Sequence, residues 1–157
     1  MTLCIAGTGH RPNKLGGYGK DVQQRLYTLA LQQLQALGAT EVISGMALGW
    51  DQAVAQAATR LALPWKAYVP FEGQELQWPA LSQAAYHSLL RDATEVVVCS
   101  EGGYSGKAMQ ERNERMVDDC DLLLALWDGT GGGTANCLRY AHVVERKVVN
   151  CWDSWKR

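Results

Sequence analysis

The chain has 157 residues, 47% apolar and 20% charged, with a formal net charge of −1. This length predicts one domain, residues 1–157, that can bury a core without disulfides or metal. Near-neutrality excludes the broad positive field of a duplex-binding protein, but one or two local cations still suffice for a small anion.

The elements alternate along the chain. A strand is expected over Leu3 to Ala6, followed by the glycine-flanked run "GTGHRPNK". From Lys20 to Gly38, the apolar residues Val22, Leu26, Leu29, Ala30, Leu34 and Leu37 recur at the spacing of one helical face, and Gly38 is a natural stop. A short strand "EVISG", a helix "WDQAVAQAATRLAL" and a strand "KAYVPF" come next. The segment Glu72 to Pro79, "EGQELQWP", is irregular and reads as a surface loop or lid. Helix "ALSQAAYHSLLRDA", strand "TEVVVCS", helix "SGKAMQERNERMVDDC", strand "DLLLALWDG", helix "GGTANCLRYAHVVERK" and strand "VVNCW" complete the chain. Strands alternating with helices predict βαβ units in an α/β, Rossmann-like, doubly wound and mostly parallel sheet. Leu26, Leu34 and Val143 are expected in its core.

The five cysteines, at 4, 99, 120, 137 and 151, are odd in number, form no CxxC pair and fall in apolar runs. They read as reduced core thiols of a cytoplasmic protein. No basic leader and no run of about 20 apolar residues are seen, so no export and no membrane span are expected. His10, His87 and His142 lack metal-ligand spacing, and neither a metal nor a cofactor is expected.

In open α/β sheets ligands gather outside the carboxyl ends of the strands. Four strand ends carry the residues for it. After the first strand, Gly7, Thr8 and Gly9 are expected to turn sharply. His10 then holds the loop or donates a hydrogen bond, and Arg11 offers a fork to phosphate or carboxylate. A plain turn with a surface arginine is the competing reading. After the second strand, Ser44, Gly45, Met46 and Gly49 lead into a helix whose bare N–H groups suit an anion. Asp51, in its first turn, either complements the helix dipole or accepts from a sugar hydroxyl. On the helix before the fifth strand stand Arg112, Asn113 and Arg115, which taken alone read as a solvated face. After the fifth strand comes "WDGTGGGTAN", with Trp127, Asp128, Gly131, Gly132, Gly133 and Thr134. A strand, a glycine-rich loop and a helix start in succession suit a phosphate. No Gly-Lys-Ser/Thr closes this loop, and Pro12 breaks GxGxxG in the first, so the ordinary nucleotide fingerprints are absent. Trp50 and Trp127 are candidates to stack on a base.

With "TGHRP" at 8–12, "SGMALGWDQ" at 44–52, "VPF" at 69–71, "RNERMVDDCDLLLALWDG" at 112–129 and "GGT" at 132–134, the chain resembles the SLOG superfamily. This Rossmann-like group contains the Lonely guy-type phosphoribohydrolases and the DNA-processing protein, and the likeness is to its small single-domain members. The resemblance implies a nucleotide-derived ligand. It puts Arg112 and Asn113 on the phosphate side, Gly132, Gly133 and Thr134 in the phosphate cradle, and Ser44, Gly45 and Asp51 near the sugar. One position departs. The phosphoribohydrolase motif has a glutamate three residues after the threonine of its Gly-Thr pair, and here Cys137 stands there. A thiol does not replace a carboxylate at a ribosyl centre.

Two functions from different classes are expected to compete. The first is a sensor or sequestering module for a nucleotide or ADP-ribose-type molecule. The second is an N-glycosidic hydrolase or transferase using Asp51 or Asp128. Nucleic-acid binding is disfavoured by the charge. A homo-oligomer is expected, with the apolar face of the first helix as its candidate surface.

Overall fold

The computed structural model describes residues 1–156. Its elements run β1 (Cys4–Gly9), α1 (Lys20–Leu37), β2 (Glu41–Ser44), α2 (Trp50–Arg60), β3 (Trp65–Val69) and α3 (Ala80–Leu90). They continue with β4 (Glu95–Val98), α4 (Gly106–Asp119), β5 (Leu122–Leu126), α5 (Gly133–Val143), β6 (Lys147–Asn150) and α6 (Trp152–Trp155). The six strands form one sheet in the order β4-β3-β2-β1-β5-β6, and every pair is parallel. The direction of winding reverses at β1, so the loops after β1 and β5 diverge and leave a crevice between them.

Strand alternation builds two cores. Ile5, Leu122, Leu124 and Leu126 face α1 and α2, packing with Leu26, Leu34, Trp50 and Val54. Ala6, Ile43, Tyr68 and Leu123 face α4 and α5, packing with Met116, Val117, Cys137 and Ala141. Leu26 and Leu34 are core residues as expected. Val143 is not: it sits at the end of α5 pointing outward and is 71% exposed. The apolar face of α1 is buried within its own chain through Val22, Leu26, Leu29, Ala30 and Leu34, so it is not free to pair with a second copy. The last strand stops at Asn150, and Trp152 and Trp155 lie on α6. There Trp155 is core, with the Arg25 guanidinium 4.1 Å from its ring centre.

The structure corrects the reading of the first strand. Gly7 and Gly9 do not form a turn. They are extended residues of β1, paired with Leu124 and Leu126 of β5. Their lack of a side chain serves packing instead. A Cβ on Gly7 would lie 3.0 Å from Val54 Cγ2, and one on Gly9 would lie 2.5 Å from Trp50 Cδ1. The two glycines let α2 approach the sheet at the carboxyl end of β1. A positive φ is needed further on, at Gly49 (φ 96°), where a Cβ would also lie 2.8 Å from the His10 carbonyl oxygen. No helix of the described residues is long and apolar enough to cross a membrane.

Candidate functional site

A cleft of about 300 Å³ opens at the crevice between the β1 and β5 loops. Its walls are the end of β1 (Thr8 to Arg11), the short 3-10 turn at Asn13 and Lys14, Asp51 of α2, Arg112 and Asn113 of α4, and Gly131 to Thr134. Three strand ends and α4 therefore converge on one recess. Its side chains bring three cations, Arg11, Lys14 and Arg112, against one carboxylate, Asp51.

The α5 wall is an open helix start. Gly132, the residue before the helix, has φ 131° and no side-chain cap. A Cβ on Gly131, Gly132 or Gly133 would meet nothing within 4 Å. The first N–H groups of α5 thus face the cleft without a competing side chain, at the positive end of the helix dipole. Lys14 reaches across to donate to Thr130 Oγ1 (2.7 Å) and the Gly131 carbonyl oxygen (3.3 Å), fixing the loop beside the helix.

The floor is a buried polar cluster. Arg112 Nη1 donates to the carbonyl oxygens of Gly45 (2.7 Å) and Tyr68 (3.3 Å), and its Nε donates to Asn113 Oδ1 (2.9 Å). Gly45 is required here, because a Cβ would lie 2.5 Å from Arg112 Nη1 and 3.0 Å from Asp51 Oδ2. Burial pushes the Asp51 carboxyl above its ordinary range, opposed by Arg112, Arg11 and the Ala47 N–H. Burial likewise pushes Arg112 down, opposed chiefly by Asp51.

Several predicted residues sit close by without lining the cleft. Ser44 is buried, donates to the Asp51 carbonyl oxygen (2.7 Å) and accepts from Met46 N–H (3.1 Å). Met46 is buried at φ 62°, a left-handed conformation costly for a side-chain-bearing residue, inside this tightened loop. Gly7, Gly45 and Gly49 admit neighbouring side chains and backbone, as described. Neither tryptophan offered for stacking lines the cleft. Trp50 is fully buried and donates to the Leu124 carbonyl oxygen (3.2 Å). Trp127 spends its indole N–H on the Thr130 carbonyl oxygen (2.7 Å). Arg115 lies over the Tyr68 ring, away from the cleft.

Asp128 acts on the loop. Its Oδ1 accepts from the Thr130 hydroxyl (2.6 Å) and N–H (2.9 Å) and lies 2.6 Å from His10 Nε2. The two Thr130 hydrogen bonds, then His10, hold its carboxyl well below the usual range. His10 is itself buried, edge-on to Trp152. Of the two carboxylates considered for catalysis, only Asp51 lines the cleft. Cys137 is fully buried in the α4/α5 core, and burial pushes its thiol up to about 11, so it contributes packing rather than a nucleophile.

The residues missed are Asn13, Lys14, Ala47 and Met109, all on the cleft walls. Lys14 continues the basic run "HRPNK", and Met109 precedes Arg112 and Asn113 by three and four positions on one helix face. Both signals were present. Among the described residues, no three metal-ligating side chains gather.

The protein is thus a Rossmann-like α/β protein with an all-parallel sheet, an uncapped helix start and three cations at its switch point. The YspA SLOG family model (YpsA) matches residues 5–148, and the chain belongs to that family. It is 33% identical over 115 residues to the uncharacterized SPbeta prophage-derived protein YoqJ of Bacillus subtilis (strain 168), covering 63% of this chain and 67% of that one. Its fold is shared with DNA processing protein A from Streptococcus pneumoniae (TM-score 0.68, 17% identity, 98% of this chain). It is shared too with DNA processing protein A from Helicobacter pylori, whose structure concerns single-stranded DNA binding (TM-score 0.63, 20% identity, 93% of this chain). The chain spans 53% and 63% of those two proteins, respectively. The molybdenum cofactor carrier protein of Chlamydomonas reinhardtii is similar as well (TM-score 0.61, 14% identity, 96% of this chain and 76% of that one).

Proposed function

We propose that the protein binds a nucleotide or nucleotide-derived small molecule, with its phosphate at the start of α5, as a sensor or sequestering module. One observation carries this reading: the uncapped N–H groups of α5 face the same recess as Arg11, Lys14 and Arg112. The carrier protein among its structural neighbours handles a small molecule, which agrees with a binding role, although fold likeness alone does not assign a ligand.

A thermal-shift panel tests it. Nucleoside mono-, di- and triphosphates, ADP-ribose, cyclic ADP-ribose and NAD are offered to the wild type, to Gly133→Ala and to Arg11→Ala. A ligand at about 100 times its dissociation constant adds roughly 2.7 kcal/mol, a visible shift. Shifts present in the wild type and reduced in both variants support the reading; no shift with any compound overturns it.

A second reading, N-glycosidic hydrolysis, now rests on Asp51 alone, because it is the carboxylate on the cleft wall. Release of free base from a nucleoside monophosphate, abolished in Asp51→Asn, would favour it. Binding of a small molecule is preferred to single-stranded nucleic acid because the three cations converge on one recess instead of tracking a strand. A salt-sensitive gel shift with an oligonucleotide would reverse that preference. The reading includes a cytoplasmic protein with free thiols and a homo-oligomer. Since α1 is occupied, the surface considered for pairing is edge strand β4, where Val96 and Val98 are half-exposed.

A further inference from the structure

A second cavity, of about 400 Å³, adjoins the first. Arg11 and Met109 line both, so the two spaces share a wall. Their chemistry differs sharply. The first presents cations and bare N–H groups. The second is lined by Phe71, Leu76, Trp78, Tyr104 and Met109, with Glu72, Gln74 and Gln77 as its polar members beside the shared Arg11. The roof is the irregular segment after β3, and it is tied down rather than loose. Gln83 donates to the carbonyl oxygens of Leu76 (3.4 Å) and Trp78 (2.9 Å), and Glu75 lies 3.0 Å from His87. Gln74 Nε2 donates to the Gly45 carbonyl oxygen (3.2 Å), the same oxygen that accepts from Arg112. One carbonyl therefore joins the roof of the second cavity to the floor of the first.

Two large apolar side chains stay open to solvent on this wall, Tyr104 at 77% and Leu76 at 65%. Phe71 is buried and meets Tyr104 edge-on, with ring centres 6.1 Å apart. An exposed aromatic backed by a buried one is a surface that gains by being covered. The planar Arg11 guanidinium at the junction can hold an anion on one side and stack on a ring on the other. Together the two cavities have the size and the mixed lining of a site for one small molecule.

We propose that the second cavity takes the aromatic ring system of the same ligand whose anionic group lies at the start of α5. The ligand is then a phosphate-bearing aromatic heterocycle, and its ring rests against Tyr104, Phe71 and Trp78, not against Trp50 or Trp127. This rests on the phosphate placement proposed above. It goes beyond that placement by making the ring a determinant of affinity and by assigning the ring to the segments after β3 and β4.

Two probes with a common phosphate separate the ideas: ribose 5-phosphate, which has no aromatic ring, and adenosine monophosphate. Both are titrated calorimetrically into the wild type, Tyr104→Ala and Gly133→Ala. The wild type is expected to bind adenosine monophosphate at least about tenfold more tightly than ribose 5-phosphate, a difference of about 1.4 kcal/mol. Tyr104→Ala removes most of that preference and leaves ribose 5-phosphate unchanged; Gly133→Ala weakens both. Equal affinity of the wild type for the two probes overturns the ring assignment while the phosphate site stands. So does a preference that survives Tyr104→Ala. If neither probe binds the wild type, the phosphate reading fails and the ring assignment falls with it. Tyr104 is exposed and makes one edge contact, so its truncation leaves the fold intact, which the thermal midpoint checks.

Discussion

Arg112 shows how closely the wall of the cleft and the stability of the fold are interlocked at single residues. It is buried beneath the cleft, donates to two main-chain carbonyls and is the chief countercharge of Asp51. Arg112→Ala would leave those carbonyls short of a donor and Asp51 buried without its chief countercharge. We expect a loss of roughly 3–5 kcal/mol in denaturant unfolding, so this variant cannot report binding alone. Arg11 is exposed and Gly133 borders open space, so they are the cleaner probes. Glycines lining the same cleft differ just as much. Gly9→Ala forces a Cβ into Trp50 and should cost about 1–3 kcal/mol, whereas Gly133→Ala should leave the thermal midpoint unchanged and lower only ligand affinity. Asp51 predicts a pH signature. Its carboxyl is raised in the folded state, so the fold holds that proton more tightly than the unfolded chain. Its contribution therefore falls as pH rises from the ordinary carboxylate value of 3.8 through the folded value. Thermal midpoints of the wild type measured against Asp51→Asn should decline over that window and then level off.

At the scale of elements, the loop after β5 is an ordered device. Asp128 clamps Thr130 and faces buried His10 on the end of β1, while Lys14 holds Thr130 and Gly131 from the 3-10 turn. The β1 and β5 loops thus pin one another and present the start of α5. The pH sign here is opposite to that of Asp51. The Asp128 carboxyl is depressed in the fold, so its stabilisation is present above 3.8 and is lost as pH falls below it. Asp128→Asn should therefore match the wild type in strong acid and be the less stable protein at neutral pH, as midpoints across an acid titration would show. The same elements explain what was legible in the chain. The 3.6-residue spacing of α1 and the apolar runs of β5 announce themselves locally, because each depends on neighbours in sequence. The strand identity of Gly7 and Gly9 does not, because it depends on Val54 and Trp50 of a helix some forty residues away.

At the scale of the whole molecule, reversal of the winding at β1 gathers the site, and the sheet edges remain open. On β4, Val96 and Val98 are half-exposed beside unpaired backbone. If this edge joins two copies, sedimentation velocity should find a dimer in the wild type and a monomer for Val98→Lys; a dimer in both would move the interface elsewhere. The sequence alone determined the α/β class, the doubly wound alternation and the strand ends where chemistry gathers, because periodicity and glycine placement are local properties. It could not assign roles within those ends. Tertiary structure decided that Arg112 is a buried floor, that Asp128 and His10 hold a loop, that Trp50 is core, and that the segment after β3 walls a second cavity. Each of those outcomes depends on which side chains meet across the sheet, and that is set by packing between elements distant along the chain.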